Sequence, residues 1–109
     1  MKSNKTNILE QLDIVLKERK KEDSSKSYVS SLYSKGNEAI NNKIIEECNE
    51  YIESTANNDR KHMIHEATDL WFHTLVSLSL NEISSSDILK ELESRFGLSG
   101  IDEKRLRKK

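Results

Sequence analysis

The sequence predicts an all-α protein, a subunit of four to five helices whose bundle is completed by dimerisation. Three observations point there. The 109 residues contain no proline and only three glycines, Gly36, Gly97 and Gly100, so little interrupts helix formation and each breaker marks a boundary. Apolar residues recur at steps of three and four along several stretches. No stretch shows the β-branched alternation of a strand, and there is no internal repeat.

Ile8, Leu9, Leu12, Val15 and Leu16 share one helical face, with Asn7 and Glu10 placed as a capping pair, and this first helix ends near Arg19. Residues 20–36, "KKEDSSKSYVSSLYSKG", are rich in serine and lysine without a clear period and read as a loop or short helical turn closed by Gly36. From about Asn37 to Ser54, Ala39, Ile40, Ile44, Cys48, Tyr51 and Ile52 keep helical spacing, and "NND" at 57–59 supplies the turn. The next helix runs from about Asp59 to Leu80. "SSSD" at 84–87 has the chemistry to cap a last amphipathic helix carrying Ile88, Leu89 and Leu92, which Gly97 stops. The whole chain, 1–109, reads as one domain, with 98–109 a basic tail expected to be mobile.

Hydrophobic and charged residues each make up 34% of the chain, so the core is modest and a partner subunit would add to it. With 18 basic and 19 acidic residues, the net charge of −1 gives no global field to recruit nucleic acid or an acidic membrane. Cys48 is the only cysteine, which excludes an intrachain disulfide and a cysteine-based zinc site and suits a reducing compartment. The first thirteen residues lack the apolar run of a secretion signal, and "LWFHTLVSLSL" at 70–80 is too short and interrupted to span a bilayer. The sequence therefore reads as cytoplasmic, with neither nucleic acid nor membrane as partner.

The stretch "KIIEECNEYI", residues 43–52, sets Glu46, Glu47 and Glu50 within an arc of about 100°, away from Ile44, Cys48 and Ile52. Alone, that is a solvated acidic face. The following helix adds weight. Its main apolar stripe is Ile64, Ala67, Trp71, Leu75 and Leu78, with Trp71 most simply core, while Glu66, Asp69 and His73 lie on another face that continues into Val76 and Leu80. A helix apolar on two sides is packed nearly all round, so Phe72, Val76 and Leu80 are expected against a second copy, with Glu66 and Asp69 partly enclosed.

An enclosed carboxylate is costly without a cation or donors. Two helices, each with an acidic pair three residues apart, can converge four carboxylates, a donor set for Mg²⁺ or Mn²⁺. No EF-hand loop supports calcium, and softer ligands for zinc are scarce. His73, one turn after Asp69, reads either as a donor to a ligand carboxylate or as a hydrogen-bonded histidine in a helix interface; His62 and His65 are expected to face solvent. A centre of this kind suits chemistry on phosphates, which also calls for basic groups. Arg19, Lys20 and Lys21, with Lys35 and Lys43 further on, supply them, although each alone reads as solvated charge.

The order of "ERKKEDSSKSYVSSLYSKGNEAINNKIIEECNEYI", "HEATDLWFHTLVSL" and "ILKELESRFGLSGIDEKRLR" resembles the phosphoribosyl-ATP pyrophosphohydrolase family over nearly the whole chain. Glu46, Glu47 and Glu50 as EExxE, and Glu66 and Asp69 as ExxD, match the motif pair of the all-α nucleoside triphosphate pyrophosphohydrolase superfamily. Ser27 and Tyr28, the spacing through Leu32 and Gly36 to Lys43, "DLWFH" at 69–73 and "SGIDEK" at 99–104 point to the particular family.

The resemblance implies a superfamily-type helical bundle shared between two subunits of a homodimer. It implies Mg²⁺-dependent hydrolysis, with Mn²⁺ as the other candidate cation, of phosphoribosyl-ATP to phosphoribosyl-AMP and pyrophosphate, the second step of histidine biosynthesis. By motif match, Glu47, Glu50, Glu66 and Asp69 are the implied metal ligands, and Glu46 is a further ligand or the base that orients water. Arg19, Lys20, Ser27, Tyr28 and Lys43 are implied contacts to phosphate or ribose, with His73 beside them. Association with a phosphoribosyl-AMP cyclohydrolase is left open. Ile45, Val29, Thr68 and Phe72 stand where the family often has a small residue, threonine, alanine and tyrosine; none of these removes a carboxylate, but Val29 lacks a hydroxyl for phosphate. Two rivals stand beside this reading: a house-cleaning hydrolase of ordinary nucleoside triphosphates with the same motifs, and a non-catalytic helical interaction module with a solvated acidic face.

Overall fold

A computed structural model describes residues 7–96 of the chain. Among them are five α-helices and no strand: α1 Ile8–Arg19, α2 Tyr28–Lys35, α3 Asn37–Ala56, α4 Arg60–Leu80 and α5 Ser85–Glu93. The chain belongs to the all-α class that the sequence predicts. No helix of the described residues is long and apolar enough to cross a membrane.

Short polar side chains set the helix starts, as expected where four amides lack partners. Asn7 accepts from the Glu10 amide at 2.9 Å, Ser27 from the Ser30 amide at 3.0 Å and Asp59 from the His62 amide at 3.1 Å. At α5 the Asp87 carboxylate reaches back to the Ser84 amide at 3.1 Å. Gly36 joins α2 to α3 at φ 90°, the left-handed region where a side chain would strain the backbone.

The segment that reads as a loop or turn at 20–36 contains a true helix, α2. Val29, Leu32 and Tyr33 give it an apolar face that the surrounding serines disguise, and Ser27 caps it. The helix α5 ends at Glu93 with Ser94 as its cap, before the glycine expected to stop it. Gly97, the "SGIDEK" stretch and the basic tail lie outside the described residues.

Helices α3 and α4 form the central antiparallel pair. Asn37 meets Asn81 at 3.1 Å at one end, and Glu47 meets His73 further along. The core lies at that first end: Leu16, Leu32, Ile40 and Val76 are buried, one from each of α1 to α4, and Leu12, Val29, Tyr33, Ile44, Phe72, Leu75 and Leu80 pack around them. Each fully buried aliphatic side chain contributes about 1.5 to 3 kcal/mol. Two polar ties hold the smaller helices. Ser30 Oγ donates to the Arg19 carbonyl at 3.0 Å, and Asp13 accepts from Ser85 through its amide and, at 2.6 Å, its hydroxyl.

Which side of α4 is buried differs from the sequence reading. Val76 is fully buried within one chain, and Phe72 and Leu80 pack against the same core, so that face is not left for a second copy. Trp71 and Ile64, which periodicity places in the core stripe, are 66% and 56% exposed. Periodicity reports that a helix has two apolar sides; it does not say which one its own chain covers.

Candidate active site

The line of residues along which α3 faces α4 changes character from one end to the other. Ile40, Glu47 and Ser54, spaced by seven, are the buried positions of α3; Val76, His73 and Glu66 are those of α4. Apolar contact at Ile40 and Val76 thus gives way to charged groups at Glu47, His73 and Glu66. The expectation that all three glutamates of α3 point away from the apolar face is corrected: Glu47 lies on the core-facing line and is only 5% exposed, while Glu46 and Glu50 are exposed.

His73 is the hinge of the polar end. Its Nε2 lies 2.7 Å from the Tyr28 hydroxyl, and its Nδ1 lies 3.1 Å from the Asp69 carbonyl and 2.6 Å from Glu47 Oε1. The Nδ1 hydrogen is directed at the carbonyl, so the contact with Glu47 is one of charge and proximity rather than an aligned hydrogen bond. With Nδ1 protonated, Nε2 accepts from Tyr28. The rings of Tyr28 and Phe72 both meet the imidazole edge-on, at 5.7 and 5.3 Å between centroids, and fix its plane.

The electrostatics show anions pressed together. Burial pushes the Glu47 carboxyl up and the Asp69 charge adds to this, against the lowering pull of His73 and Lys43. Glu50 is pushed up first by hydrogen bonding to Glu66 and then by the charge of Glu66. Burial raises the Tyr28 hydroxyl, while neighbouring Lys43 lowers it. Lys43 is raised chiefly by its bond to Glu46, at 3.3 Å.

With the carboxylates ionised, Glu47 Oε1 and Glu66 Oε1 are buried and accept no aligned hydrogen bond from any described residue. Each such group costs about 1 to 3 kcal/mol unless something satisfies it. A carboxylate set in which Glu47 and Glu66 are buried and Glu50 and Asp69 stand close by fits a hard divalent cation, whose charge would remove both penalties. The ligand atoms of His65, Glu66 and Asp69 already lie within 4.8 Å of one another.

The structure brings Glu47, Glu50, Glu66 and Asp69 into one electrostatic neighbourhood and sets Tyr28, Lys43 and His73 beside them. The other expected residues are engaged elsewhere. Glu46 pairs with Lys43 at the surface, Arg19 with Glu22 at 2.8 Å, and Lys20 with Glu82 at 2.8 Å; Ser27 caps α2. Two histidines expected to face solvent stand beside the centre, and His65 does face solvent. His62 Nε2 lies 3.1 Å from Glu66 Oε2, and His65 Nε2 lies 3.3 Å from Asp69 Oδ2. The signal is present, because each histidine precedes its carboxylate by four positions, one helical turn.

Fold and site together define an all-helical protein with an acidic centre between two antiparallel helices, fed by one glutamate cluster and one ExxD pair. Its relatives narrow that class. The family model described as phosphoribosyl-ATP pyrophosphohydrolase matches residues 9–96, and this chain belongs to that family. A phosphoribosyl-ATP pyrophosphatase of Azoarcus sp. (strain BH72) is 48% identical over 101 residues, covering 93% of this chain and 94% of the relative. One from Hydrogenovibrio crunogenus is 49% identical over 108 residues, covering 94% of each chain. One from Neisseria gonorrhoeae is 39% identical over 100 residues, covering 92% of this chain and 94% of the relative.

Proposed function

We propose that this chain hydrolyses phosphoribosyl-ATP to phosphoribosyl-AMP and pyrophosphate, the second step of histidine biosynthesis, with Mg²⁺ or Mn²⁺ held by Glu47, Glu50, Glu66 and Asp69. One observation carries the reading: in a family whose members are named for this reaction, two buried carboxylate oxygens, Glu47 Oε1 and Glu66 Oε1, accept no aligned hydrogen bond from a described residue, although His73 Nδ1 stands 2.6 Å from the first. A bound cation would offset phosphate charge and lower the pKa of water.

The rest falls to the chain's own residues. His73 holds Glu47 in place, and the Tyr28 hydroxyl holds His73, so the start of α2 is tied to the acidic centre. Lys43 stands at the rim and is suited to a phosphate oxygen, for which it must exchange Glu46. Glu46, released, is suited to orient the attacking water. The oxygen of that water bonds to phosphorus while a P–O bond of the anhydride between the α- and β-phosphates breaks. Arg19, Lys20 and Ser27 are proposed contacts to phosphate or ribose, the first two after exchange of their ion pairs with Glu22 and Glu82.

We further propose a homodimer that covers Ile45 and Ile52 of α3 and Ile64 and Trp71 of α4, all exposed in the single chain. The lone Cys48 and the biosynthetic reaction support a cytoplasmic setting. A phosphoribosyl-AMP cyclohydrolase would consume the product and is a candidate partner. Purified protein with Mg²⁺ should release pyrophosphate from phosphoribosyl-ATP; orthophosphate as first product would refute the mechanism. Faster turnover on an ordinary nucleoside triphosphate would favour the house-cleaning activity instead.

A further inference from the structure

The first half of α4 carries His62, His65, Glu66 and Asp69 on successive turns, the two histidines pairing with the two carboxylates. His62 takes one oxygen of Glu66, at 3.1 Å from Oε2, and the other, Oε1, is buried and accepts no aligned hydrogen bond from a described residue, in a residue only 8% exposed. His65 approaches Asp69 at 3.3 Å from the more open side, with a side chain 68% exposed. The potential ligand atoms of His65, Glu66 and Asp69 lie within 4.8 Å of one another. Donors on one ion of about 2.0 to 2.2 Å bond length sit roughly 3 to 4 Å apart, so small side-chain movements would bring these three onto a common centre.

We infer that His65 adds a nitrogen donor to the carboxylate centre and so shifts its cation preference from magnesium toward the first-row divalents manganese(II) and cobalt(II). The inference rests on the proposed reading that Glu66 and Asp69 hold a cation. Its physical basis is ligand type. Magnesium prefers oxygen and gives up water reluctantly, so a neutral imidazole at the exposed rim competes poorly for it. Transition cations accept imidazole readily, in the rising order manganese, cobalt, nickel. His62 has a different part, because its ring orients Glu66 and so acts as a positioning residue.

The test uses the full chain without nucleotide. In pulsed electron paramagnetic resonance, bound Mn²⁺ should show coupling to an imidazole ¹⁴N that His65→Gln abolishes and His62→Gln retains. By calorimetry, His65→Gln should weaken Co²⁺ and Mn²⁺ about tenfold and Mg²⁺ less than about twofold. Mn²⁺ bound without nitrogen coupling, coupling that follows His62 instead, or equal losses for all three cations would overturn the role of His65 and leave the carboxylate centre standing. If the unsubstituted chain bound no cation, or Asp69→Asn bound cations as it does, the centre itself would be refuted and this inference with it.

Discussion

The two sides of α4 invert the usual relation between polarity and burial. The side turned to α3 buries Glu66 and His73 together with Val76, while the side turned away exposes Ile64 and Trp71. Charge is inside and a tryptophan is outside, on one helix. The inner side supports the proposed cation centre, because buried repelling anions weaken a fold unless a positive charge offsets them. The outer side supports the proposed dimer, because soluble monomers seldom leave large apolar groups wet. The centre and the proposed dimer face thus lie on opposite sides of one helix.

The comparison breaks most severely at Val76. Val76→Asp puts a charge into the core shared by four helices and should cost about 4 kcal/mol or more, a large share of a small domain's stability. Thermal melting followed by circular dichroism should find little folded protein, and a normal melting curve would contradict the buried assignment of that face. Periodicity alone assigns this side chain to the subunit interface, so the experiment separates the two views.

Asp69→Asn attacks the polar end of the same inner side and should leave the fold standing. Removing one carboxylate from a cation centre should lower turnover at least about a hundredfold, read as pyrophosphate release at saturating Mg²⁺. Turnover equal to the unsubstituted enzyme would remove Asp69 from the ligand set. Trp71→Asp tests the outer side. Its helical signal should persist while sedimentation at micromolar concentration shifts from two chains to one, and an unchanged sedimenting mass would clear Trp71 of any part in the interface.

The smallest effect concerns carboxylate repulsion without a cation. Glu47 and Glu50 are both held above the ordinary 4.5, so the folded chain keeps protons that the unfolded chain has released. Their contribution to stability is full below 4.5 and is lost as pH rises through the raised values. The metal-free protein should therefore melt at lower temperature as pH rises across that window. Glu50→Gln should flatten the decline, and saturating Mg²⁺ should offset it, as a ligand of the folded state does. A melting temperature that rises with pH over this range would contradict the sign.

Much of the site is legible in residue type and spacing. EExxE and ExxD place carboxylates at steps of three, and helical geometry turns that spacing into two acidic edges. What spacing leaves open is rotation about each helix axis. Glu47 follows Ile40 by seven positions and Ile44 by three, so spacing leaves it at the edge between the apolar and acidic sides, and it is buried because α4 approaches from that direction. His62 and His65 read as solvated, since a histidine in a polar stretch gives no sign that the carboxylate one turn on is held still. Arg19 and Lys20 are expected at phosphate, and the structure pairs them with Glu22 and Glu82, the latter 62 positions away and invisible to local pattern.

The sequence by itself determined α1, α3, α4 and α5, the cap at Asn7, the family, and the identity of the carboxylates, because these depend on residue type and on spacing within a few turns. Only the tertiary structure decided that Val76 and not Trp71 is core, that His73 joins Tyr28 to Glu47, and that Glu47 and Glu66 are buried. Those outcomes depend on how α3 and α4 are rotated against each other. That rotation is fixed by packing between residues far apart in the chain, where periodicity carries no phase.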